Sequence, residues 1–135
     1  MPDFRNYAVS VPSPTAVEAG NVHVLGSFIF GLPSDRQSTF SATVDVAQRA
    51  GVTFAQFVML TPFPGTTDFA AWEKEMANDT TRIAGMPLTR HWLIPDGMRP
   101  KVYTPHPVMS ADDIRAGTQG AWDQFYSLPN IWERA

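Results

Sequence analysis

Two apolar runs, each ending in a turn that contains proline, constrain the fold of this chain more than any other feature. The first run covers residues 22–35 and ends in Gly31-Leu-Pro-Ser-Asp35, and the second covers residues 54–66 and ends in Thr61-Pro-Phe-Pro-Gly-Thr66. Both are rich in Val, Phe, Ile or Leu and too short for most helices, which predicts strands buried on both faces. A helical pattern lies between them. The sequence therefore predicts a parallel strand–helix–strand unit, and ligands of such units bind at the carboxyl ends of the strands.

The helix between the two strands is predicted from apolar spacing and from its terminal residues. Three apolar residues recur with helical spacing: Phe40, Val44 and Ala47. Ser38 is a candidate N-cap, and Gly51 falls where a glycine commonly follows a helix. The second strand, residues 54–60, follows within a few residues, as a short parallel crossover requires.

Two further helices are predicted downstream. One begins near Thr67, and the last opens at Ser110 with Asp113 in a variant of the capping box and ends near Leu128-Pro129. Lys101–Tyr103 is a weak candidate strand.

Pattern divides the chain into three segments. Residues 1–21 are weakly patterned, with a candidate short strand at Tyr7–Val11. Residues 22–81 form the predicted βαβα unit, and residues 82–135 form a proline-rich extension that carries the final helix. Strands that are apolar on both faces need neighbours at their edges and helices above and below, so the sequence predicts a slice of a larger α/β sheet.

Composition excludes several classes of function. The 135 residues correspond to about one domain, and a hydrophobic content of 44% is enough for a core. The formal net charge of −3 argues against a nucleic-acid-binding protein, which usually has a clustered basic face. No apolar run is long enough for a membrane span, and the first residues lack a secretory signal pattern, so a cytoplasmic location is expected.

The two strand endings carry a resemblance to a known family. The segment Gly26-Ser-Phe-Ile-Phe-Gly-Leu-Pro-Ser-Asp35 resembles the fifth strand of radical SAM enzymes, and Thr61-Pro-Phe-Pro-Gly-Thr66 resembles the end of their sixth strand. Three downstream segments are similar to the C-terminal region of the cobalamin (B12)-binding branch, including its hopanoid-biosynthesis members: residues 90–95, 99–106 and 122–129. The resemblance covers about residues 20–134. It implies an α/β fold that is the C-terminal half of a TIM-like radical SAM barrel, with a proline-rich, helical extension.

The resemblance also implies cofactors and partners. S-adenosylmethionine is the expected cofactor of the chain. A [4Fe–4S] cluster and cobalamin are expected only in a full-length protein, because the family holds its cluster through a Cys-x-x-x-Cys-x-x-Cys loop and this chain contains no cysteine. The missing N-terminal half of the barrel, or a partner chain, is expected to complete the site around a small-molecule or lipid substrate.

The function implied is that of a C-terminal fragment of a B12-binding radical SAM enzyme, not catalytically complete alone. The alternative is a non-catalytic, truncated α/β module that docks on a partner chain.

The family's adenosine-binding strands give six candidate cofactor-binding residues: Gly26, Ile29, Gly31, Asp35, Val58 and Leu60. The two glycines lack a Cβ and so permit close approach of a flat ligand, while Ile29 is expected to lie against adenine. Backbone groups from Val58 to Leu60 are expected to bind the polar edge of adenine. Asp35 stands where the family has Glu, and a role in capping or turn formation is an equal alternative.

The histidines and Tyr103 complete the candidate residues. Tyr103 and His106 are candidate substrate contacts, because binding residues concentrate in loops on rigid scaffolds. His23 is expected to pack within the first strand. No histidine pair has the spacing of a metal site, so no metal ligand is predicted, and no residue is assigned a catalytic role.

Overall fold

The computed structural model describes residues 23–134 and has an α/β fold. Its first half contains strand β1 (Leu25–Phe30), helix α1 (Gln37–Arg49), strand β2 (Phe54–Met59) and helix α2 (Thr67–Glu75). Its second half contains the short strands β3 (Arg82–Ile83) and β4 (Met86–Pro87), and then helices α3 (Ala111–Phe125) and α4 (Leu128–Arg134). Three 3₁₀ turns lie between these elements, at Met76–Asn78, Leu88–Leu93 and Asp96–Met98.

Strands β1 and β2 pair in parallel, which confirms the predicted βαβ unit. The register runs from Leu25 opposite Phe54 to Phe30 opposite Met59. Helices α1 and α3 cover one face of this pair. The buried core lies there, with the rings of Phe30 and Phe57 stacked at a centroid distance of 5.9 Å.

The prediction that both strands are buried on both faces was wrong. Side chains alternate across a strand, so every second residue of β1 and β2 points away from α1 and α3. On this open face Leu25, Ile29 and Phe54 are each more than half exposed. Within residues 23–134, helices α1 and α3 lie on the other face only. Packing against these two helices therefore does not explain why the open face is apolar.

Side chains from the end of α3 cover the outer edge of β2. The Tyr126 hydroxyl donates to the carbonyl of Ala55 at 2.8 Å and accepts from its N–H at 3.1 Å. The indole Nε1–H of Trp122 donates to the carbonyl of Phe57 at 2.9 Å. These bonds satisfy backbone groups that a further strand would otherwise pair with. At the outer edge of β1, the described part of the chain supplies no third strand.

The start of α1 differs from the prediction. The helix begins at Gln37, so the N-cap is Arg36 and Ser38 lies inside the first turn. The hydroxyl of Thr39 accepts a hydrogen bond from the Arg36 N–H at 2.9 Å. At the other end, Gly51 has a φ of +64°, as expected for a glycine that follows a helix.

The caps of α2 and α3 are both formed by hydroxyl side chains. The Thr66 hydroxyl accepts from the N–H of Phe69 at 3.1 Å and so caps α2. Before α3, Ser110 and Asp113 form the predicted capping box, with Ser110 Oγ accepting from the Asp113 N–H at 3.1 Å. The hydrogen bond from the Ser110 hydroxyl, and to a lesser extent the one from its backbone N–H, hold the pKa of the Asp113 carboxyl below its usual range.

Residues 82–134 depart from the prediction in three places. The helix predicted to end near Leu128-Pro129 ends at Phe125, and a separate helix, α4, follows with Pro129 in its first turn, where a proline costs no helical hydrogen bond. Lys101–Tyr103 is not a strand. The hairpin of β3 and β4 was not predicted, because strands of two residues show no periodicity. Its turn, Ala84-Gly85, has positive φ at both residues.

The candidate strand Tyr7–Val11 lies outside the described residues. His23 is exposed and precedes β1, so it is not packed within a strand. Among residues 23–134, no helix combines the length and the apolar character needed to cross a membrane.

Two glycines of α3 provide a direct test of the packing between α1 and α3. A Cβ at Gly117 would collide with the ring of Phe40, whereas a Cβ at Gly120 meets nothing within 4 Å. We expect Gly117→Ala to lower the free energy of unfolding by about 1–3 kcal/mol through overpacking. Gly120→Ala is the matched control and should raise it by up to about 1 kcal/mol, since alanine favours a helix.

Urea denaturation of both variants makes the comparison. Equal effects of the two substitutions would contradict the packing described here.

Candidate functional site

The carboxyl ends of β1 and β2 bring two turns together. The N–H of Leu60 donates to the carbonyl of Phe30 at 2.7 Å, which continues the parallel pairing to the point where both strands end. The turn of residues 31–35 follows β1 and the turn of residues 61–66 follows β2. Gly31 and Gly65 have φ values of +97° and +90°, so each turn needs a residue without a Cβ.

The carboxylate of Asp35 closes the first turn. Its Oδ2 accepts from the N–H of Gly31 at 2.8 Å and from that of Leu32 at 3.0 Å, and the side chain is buried. The Asp35 N–H in turn donates to the Leu32 carbonyl at 2.9 Å. This geometry is that of a turn former, one of the two roles expected for the residue.

The two glycines of the first apolar run have different physical roles. Gly26 lies on the face that α1 and α3 cover, where a Cβ would stand 2.9 Å from the ring of Phe28. Its small size therefore serves packing in the core. At Gly31 a Cβ would make ordinary contacts at 3.7 Å, so the positive φ is what requires glycine there.

Ile29 and Val58 lie next to each other on the open face of the sheet. They are register partners, and Ile29 is about half exposed. Together they form a small apolar surface just before the two turns. Leu60 is half-buried, and its N–H is already bonded within the sheet. The carbonyl of Met59 accepts from the Thr61 hydroxyl at 3.1 Å. The backbone from Val58 to Leu60 is thus largely used by the protein itself.

Two polar residues on the same face were not among the predicted candidates. Ser27 and Gln56 are register partners beside Ile29 and Val58, and both are exposed. Their signal in the sequence is the alternation along each strand, which places them on the face of Ile29. The resemblance to a family did not indicate Ser27 and Gln56, because it selects residues that match a motif and takes no account of the direction in which a side chain points.

The segment that connects β4 to α3 contacts both turns. We call residues 88–109 the connecting segment. Nε2 of His91 lies 3.0 Å from the carbonyl of Pro62 in the second turn, and Nε2 of His106 lies 2.9 Å from the carbonyl of Leu32 in the first. One histidine of the connecting segment therefore contacts each turn. The ion pair of Arg90 with Glu73, at 2.6 Å, further fixes this segment to α2.

Tyr103 and His106, the two candidate substrate contacts, lie at different turns. Tyr103 belongs to a group of aromatic side chains near the second turn, and its ring centroid is 4.6 Å from that of His91. The other rings of this group belong to Phe69, Trp72 and Trp92. His106 contacts the first turn. The structure therefore places the two candidates on separate parts of the same sheet edge.

The part of the chain that the structure describes contains no cluster of metal ligands. It contains no cysteine, and within residues 23–134 no three His, Asp or Glu side chains come together as ligands for one ion.

Two curated proteins are similar to this chain, and both are named as methyltransferases. Over 122 residues, 90% of the chain, it is 28% identical to an uncharacterised methyltransferase of Pyrococcus horikoshii. Over 66 residues, 49% of the chain, it is 42% identical to bacteriochlorophyllide d C-12(1)-methyltransferase of Chlorobaculum tepidum. The matches span 24% and 14% of the two proteins, so the chain corresponds to a quarter or less of their length. No family model and no solved structure matches the chain.

These relatives correct the expected identity. Their names indicate methyl transfer, and neither name refers to a radical SAM enzyme, an iron–sulfur cluster or cobalamin. The interpretation as a fragment of a B12-binding radical SAM enzyme was therefore wrong, and so were the [4Fe–4S] and cobalamin that it implied. The alternative of a non-catalytic docking module is not better supported.

The fold prediction is confirmed for the α/β class and for the parallel βαβ unit, but not for the half barrel. The α/β class and the parallel βαβ unit are present. Half of a barrel is not shown, because two parallel strands covered on one face are common to several α/β architectures.

The role of Asp35 in the first turn leads to a stability prediction. Asp35→Ala leaves two backbone N–H groups without their acceptor, and we expect it to lower the free energy of unfolding by about 1–3 kcal/mol. Asp35→Asn keeps a carbonyl oxygen and should recover at least half of that loss. Asp45→Ala, at an exposed position of α1, is the control and should change stability by less than about 0.5 kcal/mol.

Thermal or urea unfolding gives the three values. An alanine variant as stable as the control would show that the turn does not depend on this carboxylate.

Proposed function

We propose that this chain is part of an S-adenosylmethionine-dependent methyltransferase and contributes to its methyl-donor site. The similarity to two proteins named as methyltransferases is the observation that carries the proposal. The geometry supports it at one place, the carboxyl ends of β1 and β2, where ligands of parallel α/β units bind. Five of the six candidate cofactor residues lie at this end of the strands or in the first turn: Ile29, Gly31, Asp35, Val58 and Leu60.

The open face near these strand ends suits the adenosyl part of the donor. Adenine is flat and largely apolar with a polar edge, and the Ile29–Val58 pair offers an exposed apolar surface of matching character. The neighbouring side chains of Ser27 and Gln56 supply a hydroxyl and an amide that can bind its polar groups. Asp35 supports the turn without contacting the donor, and Gly26 supports the core.

The donor supplies an electrophilic methyl group on a sulfonium when it is bound. The residues of this chain bind and orient the donor. The proposal also includes the molecule that accepts the methyl group. We expect a small-molecule or lipid acceptor to approach from the side of the connecting segment. Tyr103 and Trp92 present aromatic surface there, and Trp92 is partly exposed.

The proposal also includes a further polypeptide that packs against the outer edge of β1 and the amino-terminal part of the open face. This polypeptide belongs to a longer form of the protein or to a partner chain. Leu25 and Phe54 expose apolar surface there. The chain alone should then self-associate as its concentration rises in sedimentation velocity. A monomer at every concentration would argue against this covering polypeptide.

Donor binding tests the proposed function. We expect the chain to bind S-adenosylhomocysteine, the demethylated form of the donor, in isothermal titration calorimetry. Ile29→Asp places a charge against the adenine surface and should weaken binding by about tenfold or more. Leu25→Asp is the matched control, since it introduces the same charge on the same face of β1 at the opposite end. It should alter the affinity by less than about twofold.

A chain that binds no donor, or equal losses in the two variants, would refute a donor site at the carboxyl ends of the strands.

A further inference from the structure

The ring of His106 uses both of its nitrogen atoms to bind backbone groups. Nδ1 accepts from the N–H of Val108 at 3.2 Å and from that of Met109 at 3.0 Å. Nε2 lies 2.9 Å from the carbonyl of Leu32. Since Nδ1 accepts, it carries no proton, and Nε2 is the nitrogen that donates to Leu32. One neutral tautomer of the ring satisfies all three contacts.

This ring joins two parts of the fold that are distant in sequence. His106 and Leu32 are 74 positions apart, and Met109 is a buried core residue directly before the capping residue of α3. The local side of the ring therefore belongs to a well-anchored structure. Its other side reaches the first turn, whose tip at Leu32 and Pro33 is exposed.

The internal bonds of the first turn do not reach the connecting segment. The Asp35 carboxylate bonds to the N–H groups of Gly31 and Leu32, which lie four and three residues away. These bonds join residues of one turn, so they do not tie the turn to the connecting segment. The bond from His106 to the Leu32 carbonyl supplies that link.

We propose that His106 is a positioning residue of the methyl-donor site. It holds the first turn, residues 31–35, beside the Ile29–Val58 surface through the carbonyl of Leu32, and it does not contact the substrate. This inference rests on the proposed donor site, and it replaces the expectation of substrate contact because the two ring nitrogens already have backbone partners. His91, at the carbonyl of Pro62, occupies the corresponding place at the second turn.

Two amide substitutions separate the two sides of the ring. Asparagine has an oxygen near the position of Nδ1, so His106→Asn can still accept from Val108 and Met109 but cannot reach Leu32. Glutamine has an amide nitrogen near the position of Nε2, so His106→Gln can still donate to Leu32 but loses the local bonds. His23→Asn is the control, because His23 is exposed and lies before β1.

The donor affinity should follow the contact with Leu32. Loss of one hydrogen bond predicts that His106→Asn weakens binding of S-adenosylhomocysteine by about fivefold, while its midpoint of thermal unfolding falls less than that of His106→Gln, which loses two bonds. The affinity of His106→Gln for S-adenosylhomocysteine should stay within about twofold of the wild-type value, even if its unfolding midpoint falls. A merely structural residue would give the opposite order, with affinity following stability.

Nuclear magnetic resonance of the free chain gives a readout that does not need the donor. We expect the backbone amide signals of Gly31 and Leu32 to move in His106→Asn and to stay near their wild-type positions in His106→Gln and His23→Asn. Equal signals in both His106 variants, or equal affinities, would overturn the positioning role. If the wild-type chain binds no donor but the amide signals behave as expected, the donor site fails while the control of the turn by His106 stands.

Discussion

The parallel pairing of β1 with β2 is the constraint on which the remaining structure depends. A parallel pair needs a crossover, and α1 supplies it on the same face that α3 covers. Both strands must then end at the same edge, so the turns that follow them become neighbours although about 30 residues separate them in sequence. The same pairing leaves Ile29 and Val58 side by side on the uncovered face. An apolar surface next to two glycine-bearing turns results directly from this topology.

Polar contacts then fix what the pairing brings together. The Asp35 carboxylate holds the first turn, and the two histidines of the connecting segment reach the carbonyls of Leu32 and Pro62. Each of these contacts satisfies backbone groups that the end of a strand leaves free. At the outer edge of β2, Tyr126 and Trp122 do the same. At the outer edge of β2, side chains therefore take the place of the neighbouring strand that a larger sheet would provide.

The sequence predicted the elements whose signal is local. The strands, the buried stripe of α1, the start of α2 and the cap at Ser110 follow from periodicity and from hydrogen-bonding side chains close in sequence. It did not predict which face of each strand is covered, since this depends on the packing of helices. For the same reason Gly26 was assigned to a ligand and not to the core, and the contacts of His106 with a turn 74 residues away were not foreseen. The expected family was wrong because similar strand endings serve the general geometry of a turn and do not by themselves identify a chemistry.

A site at the carboxyl ends of β1 and β2 is the central claim, and its location can be measured without mutation. Backbone amide signals of the ¹⁵N-labelled chain should be assigned and followed during titration with S-adenosylhomocysteine. We expect shifts concentrated in residues 29–35 and 56–60, with little change at Leu25, Phe54 or α4. Shifts that cluster at the amino ends of the strands, or on α4, would contradict it, as would the absence of any change at millimolar ligand.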